Sequence, residues 1–520
     1  MKKDAGYTLK RAHRLPVILI GEGLLTGAAA GLIVLLYRIA LTYAGRWLND
    51  IVQFIEGSAL KTAGWFLVLF LLALLTGKLV KWEPMISGSG IPQVEGEILG
   101  KLSQNWKKVL PAKFAGGFLC LLGGLSLGRE GPSIQLGAMT GQGISRLLNR
   151  GKTEEKYIMT CGASAGLAAA FHAPLAGMMF ALEEIHKGFS VTLLVSVMTA
   201  SVTADYISSY IIGLDPVFQF RLEHVLPQNY YWLLVVLGIV LGVFGALYNK
   251  GMLKAQELYK KWLNETKRLV IAFMAAGVMA VLMPSVLGSG GDLIVSLTNG
   301  EMVLSVVIVT FAVKFLFSAV SFGSGAPGGI FFPLLILGAL LGGAFSMVCV
   351  EFLGLDPVYI NNFVLLAMAG YFTAIVRAPI TGIILLFEMS GSVSQMLSLA
   401  IVSVAAYITA TLLRSEPIYD SLLAGILEGK EKNNGQTAPG RQKVLNEFVI
   451  MSGSVLEGRT VMEIHWPGNC LLVALERGGK ERIPKGKTRL EAGDRLTVMT
   501  DERDAGYVHD KLENLCYTSI

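Results

Sequence analysis

Three stretches of this chain combine glycine, proline and small donors in an order that could hold an anion: Gly88-Ser89-Gly90-Ile91-Pro92, Gly128-Arg129-Glu130-Gly131-Pro132 and Gly325-Ala326-Pro327-Gly328-Gly329-Ile330-Phe331-Phe332-Pro333. Each is followed by a helix-compatible run. Glycine lets the backbone turn sharply and approach a ligand. Proline suits a first helical turn, where its missing N–H would lack a partner anyway. The pattern predicts three helix N-termini, each with free N–H donors and a partial charge of about +0.5 that favours an anion. A site built from such ends needs no full countercharge, so the ion can leave again. One such break would read as an ordinary kink between packed helices. Three of this composition do not.

Glu130 stands inside one of these stretches. A carboxylate in a site built for anions must either compete with the anion or be protonated. A bound anion favours the protonated form by like-charge repulsion, and the helix ends favour the ionised form when the anion has gone. Two exchangeable occupants of one site would link proton and anion movement. The alternative, a plain helix-capping carboxylate, is the weaker reading, because a buried ionisable group at membrane depth is a functional candidate by default.

The elements that must position these residues are transmembrane. Hydrophobic residues make up 53% of the 520 residues and charged residues only 16%, and the mean hydropathy is +0.57. A soluble protein needs more polar surface than that. The 60 glycines fit closely packed helices in lipid. The net charge of +6 is spread over short hydrophilic segments rather than one aromatic-interleaved patch, which argues against nucleic acid as a partner. Lys2, Lys3, Lys10, Arg11 and Arg14 precede the first apolar run, and Lys250, Lys254, Lys260, Lys261, Lys267 and Arg268 follow the stretch 231–249. Both clusters predict cytoplasmic faces, with the loop near 214–230 outside and both termini inside. The run from about 15 to 37 is too long for a signal-peptide core and reads as a retained helix. Cys120, Cys161, Cys349, Cys470 and Cys516 show no CxxC or disulfide-like spacing, so they read as unpaired.

Many of the apolar stretches are too short or too interrupted to cross roughly 30 Å of hydrocarbon as straight helices. Irregular backbone at that depth survives only where protein buries it or where it lines an aqueous path. The chain also repeats itself. Gly88-Ser89-Gly90 recurs as Gly288-Ser289-Gly290, Lys113-Phe114 as Lys314-Phe315, and the break Gly128–Pro132 has a counterpart at Gly323–Pro333. His172-Ala-Pro174, with Glu183 nine residues past the proline, recurs as Arg377-Ala-Pro379 with Glu388 at the same spacing. Duplicated halves with breaks at matching positions are the mark of transporters with a midplane site. The expected fold is an all-α polytopic membrane protein with inverted repeats of broken helices, plus a small cytoplasmic α+β domain. Its parts would be a cytoplasmic segment 1–14, a membrane domain 15–427 with repeats at about 15–213 and 231–427, a polar linker 428–441, and a soluble domain 442–520. In the last part, Asn469–Arg477 and Arg495–Thr500 read as strands, Gly478-Gly479 as a hairpin turn, and 501–515 as a helix.

The motifs GSGIP, GREGP and GGIFFP, with the late Pro417-Ile418-Tyr419, closely resemble those of the CLC chloride channel and transporter family, over about residues 15–427. The resemblance implies a homodimer in the cell membrane, with a separate pathway in each subunit. It implies a central anion held by the hydroxyls of Ser89 and Tyr419 and the N–H groups of Ile330 and Phe331, supported by Gly88, Gly90, Pro92, Gly128, Gly131, Pro132 and Gly329. Ser at position 89 fits the chloride-selecting form. Glu130 takes the place of the gating glutamate and Glu184 that of the inner proton glutamate, which accompanies exchangers. The adjacent Glu183 matches Glu388 in the repeat and reads as structural. Lys113 and Arg129 would supply positive potential or be paired structural charges. The transported ions would be chloride and protons, with no cofactor.

Residues 442–516 resemble the C-terminal domain of RCK/TrkA potassium regulators, through Leu456–Val461, Asn469–Arg477 with Ile483-Pro484, and Leu490–Leu496. That resemblance implies a dimerising domain with a small-molecule regulator, cyclic di-AMP in some relatives, or a dimer-stabilising appendage without ligand. Three rivals remain. A passive chloride channel is the nearest. A potassium transport component would need a carbonyl-lined filter that the sequence lacks. A membrane enzyme would need a nucleophile–base pair or a metal cluster. Gly162-Ala163-Ser164-Ala165-Gly166 fits G-x-S-x-G, but it sits in an Ala/Gly-rich apolar run and reads as helix packing. The six histidines lack metal-ligand spacing.

Overall fold

The computed structural model describes residues 5–213, 224–391, 393–433, 443–468, 470–478, 480–501 and 505–517. Most of the loop expected outside, near 214–230, most of the linker, and Gly479 of the expected hairpin lie beyond these. The chain divides into two compact units, Met1–Leu427 and Glu428–Ile520.

The first unit is helical and repeats element by element. Its first half runs α1 (Ala5–Ile55), α2 (Ala59–Trp82), α3 (Ile91–Ile98), α4 (Trp106–Leu122), α5 (Glu130–Leu147), α6 (Lys152–Phe171), α7 (Pro174–Phe180) and α8 (Val191–Ile212). The second runs α9 (Tyr231–Trp262), α10 (Glu265–Leu282), α11 (Gly291–Thr298), α12 (Leu304–Gly323), α13 (Phe331–Leu353), α14 (Ile360–Val376), α15 (Pro379–Ser390) and α16 (Met396–Leu412), and α17 (Ile418–Asn433) follows. Among the described residues seven helices are long and apolar enough to cross a membrane. Long helices α5 and α13 follow two of the glycine–proline breaks, and the short helices α3, α7 and α15 follow other proline-containing breaks. Prolines open them: Pro92 lies in the first turn of α3, and Pro174 and Pro379 begin α7 and α15.

The halves exchange reciprocal contacts. Glu183 accepts from the N–H groups of Ile380 (3.3 Å) and Thr381 (2.8 Å) at the start of α15, and Glu388 accepts from Leu175 (2.9 Å) and Ala176 (2.7 Å) at the start of α7. Lys113 donates to the carbonyls of Ile86 and Gly88. Lys314 donates likewise to those of Val286 and Gly288. Contacts that map onto themselves when the halves are swapped define a local two-fold. The packing within each half also matches: α5 lies along α6 and α13 along α14, α1 on α8 and α9 on α16. Glycine permits the closest of these approaches. A Cβ on Gly137 would stand 2.0 Å from the Gly162 carbonyl oxygen, and one on Gly166 2.2 Å from that of Ser133. The glycines of the G-x-S-x-G match are therefore packing residues.

The second unit is an antiparallel sheet of β1 (Lys443–Val449), β2 (Cys470–Arg477), β3 (Lys480–Arg482) and β4 (Arg495–Asp501), in the order β1-β4-β2-β3, with α18 (Ala505–Tyr517). Sequence reading finds β2, β4 and the helix to within a few residues but not β1, which follows directly on the polar linker with no hairpin signal of its own. The core joins Phe448, Leu475, Leu496 and Val498 to Val508, Leu512 and Cys516 of α18. The five cysteines are unpaired.

Candidate functional site

Three helix N-termini converge where the glycine motifs place them. Helix α3 starts after Gly90, whose φ of 97° lies in the left-handed region open to glycine. A Cβ on Gly90 would stand 2.4 Å from Gln135 Oε1 of α5. Helix α5 starts at Glu130 behind Arg129, and α13 at Phe331 behind Ile330. The last two are tied by an isolated antiparallel bridge, Gly128 N–H to Gly329 carbonyl at 2.7 Å and Gly329 N–H to Gly128 carbonyl at 2.8 Å. Gly88 is tied to the third motif in the same way, donating to Gly325 (3.2 Å) and accepting from Gly328 (3.1 Å). Lys113, fully buried, anchors the Gly88 loop through its carbonyl. The partners of Lys113 are the carbonyls of Ile86 and Gly88 rather than a carboxylate.

Around this junction stand buried polar atoms without a protein partner. The Ser89 hydroxyl is one, and a Cβ on Gly131 would lie 2.4 Å from its oxygen. Ser89 thus rests against the first turn of α5, which carries Pro132 as its third residue. The Tyr419 hydroxyl, in the first turn of α17, is another. Its ring meets Phe180 edge-on at 6.4 Å, and Phe180 meets Phe331 at 6.0 Å. Ser89, Tyr419, Ile330 and Phe331 are each at most 2% exposed. Neutral hydroxyls buried without partners cost free energy unless a ligand satisfies them. An anion fits that set, because all four offer donors.

Glu130 is fully buried. Its carboxylate lies over Gly128, where a Cβ would be 2.1 Å from Oε2 and 3.1 Å from the backbone nitrogen of Phe332. The carboxylate therefore lies beside the start of α13. Arg129, half-buried, places its charge near Glu130 and Tyr37.

Glu183 and Glu184, adjacent in sequence, are separated by the fold. Glu183 is spent on the start of α15, where the Thr381 hydroxyl also donates to it at 2.7 Å. Glu184 is 5% exposed and its Oε1 has no partner. It lies in a π-turn, Ala181–His186, that continues α7. The matching stretch of α15 stays α-helical, with buried Met389 at the repeat position of Glu184. Fold symmetry therefore requires Glu183 but not Glu184, and π-turns often mark functional positions. Sequence reading missed a cluster beside it. Lys187 donates to Glu95 (2.7 Å) and to Asp420. Positions 95, 187 and 420 share no spacing or motif, so only the fold reveals them.

Buried donors at opposed helix starts, a carboxylate among them and duplicated broken helices define an anion-transport fold. A family model for the voltage gated chloride channel matches residues 68–411, and one for the TrkA-C domain matches residues 445–512. The chain is 35% identical over 454 residues to the H(+)/Cl(-) exchange transporter ClcA of Vibrio cholerae, covering 84% of this chain and 96% of that protein. It is 33% identical over 464 residues to ClcA of Vibrio vulnificus, covering 85% and 96%. Among solved structures, a slow cyanobacterial Cl-/H+ antiporter superposes with a TM-score of 0.76 at 27% identity, over 79% of this chain and 99% of that one. A CLC-type fluoride/proton antiporter shares the fold, with a TM-score of 0.64 at 22% identity over 80% and 98%. The chain belongs to the voltage gated chloride channel family, and its C-terminal unit is a TrkA-C domain.

Proposed function

We propose that this protein exchanges chloride for protons across the cell membrane, with Glu130 as the group that alternates between the two. The observation that carries the reading is the position of the Glu130 carboxylate, buried against the start of α13 where an anion would also be held. When Glu130 is ionised it competes with chloride for the same N–H groups; when protonated it can yield to the ion. Ser89 and Tyr419 would donate their hydroxyls to the central chloride and Ile330 and Phe331 their amides. Gly88, Gly90, Pro92, Gly128, Gly131, Pro132 and Gly329 shape the three helix starts that supply these donors. Glu184 would pass protons on the inner side, since its buried oxygen is unpartnered while Glu183 is already used. Lys113 and Arg129 support the site by anchoring and by charge. Relatives named as H(+)/Cl(-) exchangers favour exchange over passive conduction.

The protein would work as a homodimer with both termini cytoplasmic, as the basic clusters suggest. The TrkA-C domain would carry regulation by a small ligand of the cyclic dinucleotide class. Radioactive chloride uptake into proteoliposomes, with and without a pH gradient, tests the central reading. Wild-type protein should drive chloride uptake from a proton gradient. Glu130→Ala should keep chloride flux and lose proton movement. A wild-type reversal potential indifferent to pH would leave the passive channel as the answer.

A further inference from the structure

Lys187 closes the π-turn that carries Glu184. Its backbone is left-handed, with φ of 52°, a conformation that costs strain for a residue with a side chain. From there its ammonium reaches two other elements at once: Glu95 of α3 at 2.7 Å, and Asp420 of α17. Glu95 is 1% exposed and its Oε2 has no partner, whereas Lys187 is about one-third exposed. The clasp thus ties the buried Glu95 carboxylate to the more exposed Asp420. The elements it joins are the ones next to the two candidate hydroxyl donors. Ser89 closely precedes α3, and Tyr419 is the neighbour of Asp420.

The repeat shows that the architecture does not demand this cluster. Glu184 corresponds to Met389, Glu95 corresponds to Val295 in α11, and α17 lies outside the repeat. Met389 is buried and Val295 is more than half exposed, so the second half places no charge at either position and keeps its fold without one. The charged groups facing Glu184 are Lys187, Glu95, Asp420 and Glu183. On the far side of the π-turn His186 bonds Thr160 (3.0 Å), packs on Tyr157 and feels Lys156, all of α6. Lys187 is therefore the cation that joins this cluster of carboxylates together.

We propose that Lys187 is a positioning residue for coupled transport: shared between Glu95 and Asp420, it holds the Ser89 and Tyr419 elements against the turn bearing Glu184, so that release of the anion inward and arrival of the proton are locked to one another. This rests on the exchange reading given above. Without the ammonium, α3 and α17 lose their common tie and Glu184 is left among uncompensated carboxylates. Anion passage then ceases to wait for the proton.

The test uses the full chain in proteoliposomes as wild type, Lys187→Met, Lys187→Arg and Asp420→Asn. It measures chloride turnover, protons moved per chloride from the reversal potential, and the thermal unfolding midpoint. Lys187→Met and Asp420→Asn should both move fewer protons per chloride, with chloride turnover altered by about two- to thirtyfold, the span of couplings carried through packed contacts. Lys187→Arg should keep the wild-type ratio. A lower unfolding midpoint with an unchanged ratio would mean a merely structural tie and overturn the proposal, as would a Lys187→Arg protein uncoupled as fully as Lys187→Met. If Lys187→Met does not fold, Asp420→Asn decides by the same ratio. A wild-type protein that moves no protons would instead refute exchange itself. The clasp would then stand or fall on whether chloride turnover responds to Lys187→Met.

Discussion

The adjacent glutamates 183 and 184 offer a double dissociation, because the fold gives them opposite environments. Glu183 receives two short hydrogen bonds from Thr381, at 2.8 and 2.7 Å, and a longer one from Ile380 at 3.3 Å. Hydrogen bonds to a charged acceptor contribute about 1.5–3 kcal/mol each. An amide in place of this carboxylate would keep one oxygen as acceptor but turn an NH2 toward donors. Glu183→Gln should therefore destabilise the protein by about 2–3 kcal/mol, since one charged bond is lost and the start of α15 loses a favourable negative charge. Glu184→Gln removes a buried carboxylate whose Oε1 has no partner. Neutralising such a group relieves a desolvation cost, so stability should hold or rise. Transport should respond in reverse: Glu184→Gln uncouples protons from chloride, and Glu183→Gln, once folded, retains the wild-type ratio. Denaturant titration in mixed micelles reads the first quantity and the reversal potential under a pH gradient reads the second. A stable Glu183→Gln protein that fails to move protons would refute the assignment and shift the proton role by one residue.

Ser89→Ala removes one donor to the anion and should weaken chloride binding by about tenfold to a hundredfold, the equivalent of one charged hydrogen bond, as read by isothermal titration calorimetry; unchanged affinity would remove Ser89 from the site. Gly128→Ala sets a methyl 2.1 Å from Glu130 Oε2, so it should expel the carboxylate from the start of α13 and lower protons moved per chloride, whereas intact coupling would contradict that placement. In the TrkA-C domain the Thr460 N–H donates to the exposed Glu463 carboxylate at 2.7 Å and holds it below the usual carboxylate range. A depressed folded value means that this contact stabilises above the unfolded value and is lost as pH falls through the folded one. Hydrogen exchange over 461–464, corrected for intrinsic rates, should stay flat from neutral to mildly acid pH and rise only below it. Glu463→Gln should abolish that step.

The motifs were legible in sequence because their chemistry is local. A glycine that must adopt positive φ, a proline in a first turn and a hydroxyl between two glycines all declare themselves within five residues at Gly88–Pro92, and Gly128–Pro132 shares the proline in a first turn. The duplication was legible too, since two copies of one fold keep their breaks in register. Even the structural role of Glu183 followed from its match to Glu388.

What sequence could not supply is whatever depends on distance across the chain. It could not show that the Lys113 ammonium rests on the carbonyls of Ile86 and Gly88. It could not join Glu95, Lys187 and Asp420, which lie on three elements far apart in the chain. Nor could it show that Glu130 rests over Gly128 beside Phe332, because Phe332 belongs to the other half. Composition and periodicity fix which residues turn, span or donate. Only the two-fold packing of one half on the other decides which donors share a site, because a side chain's partners are set by tertiary proximity rather than by its neighbours in sequence.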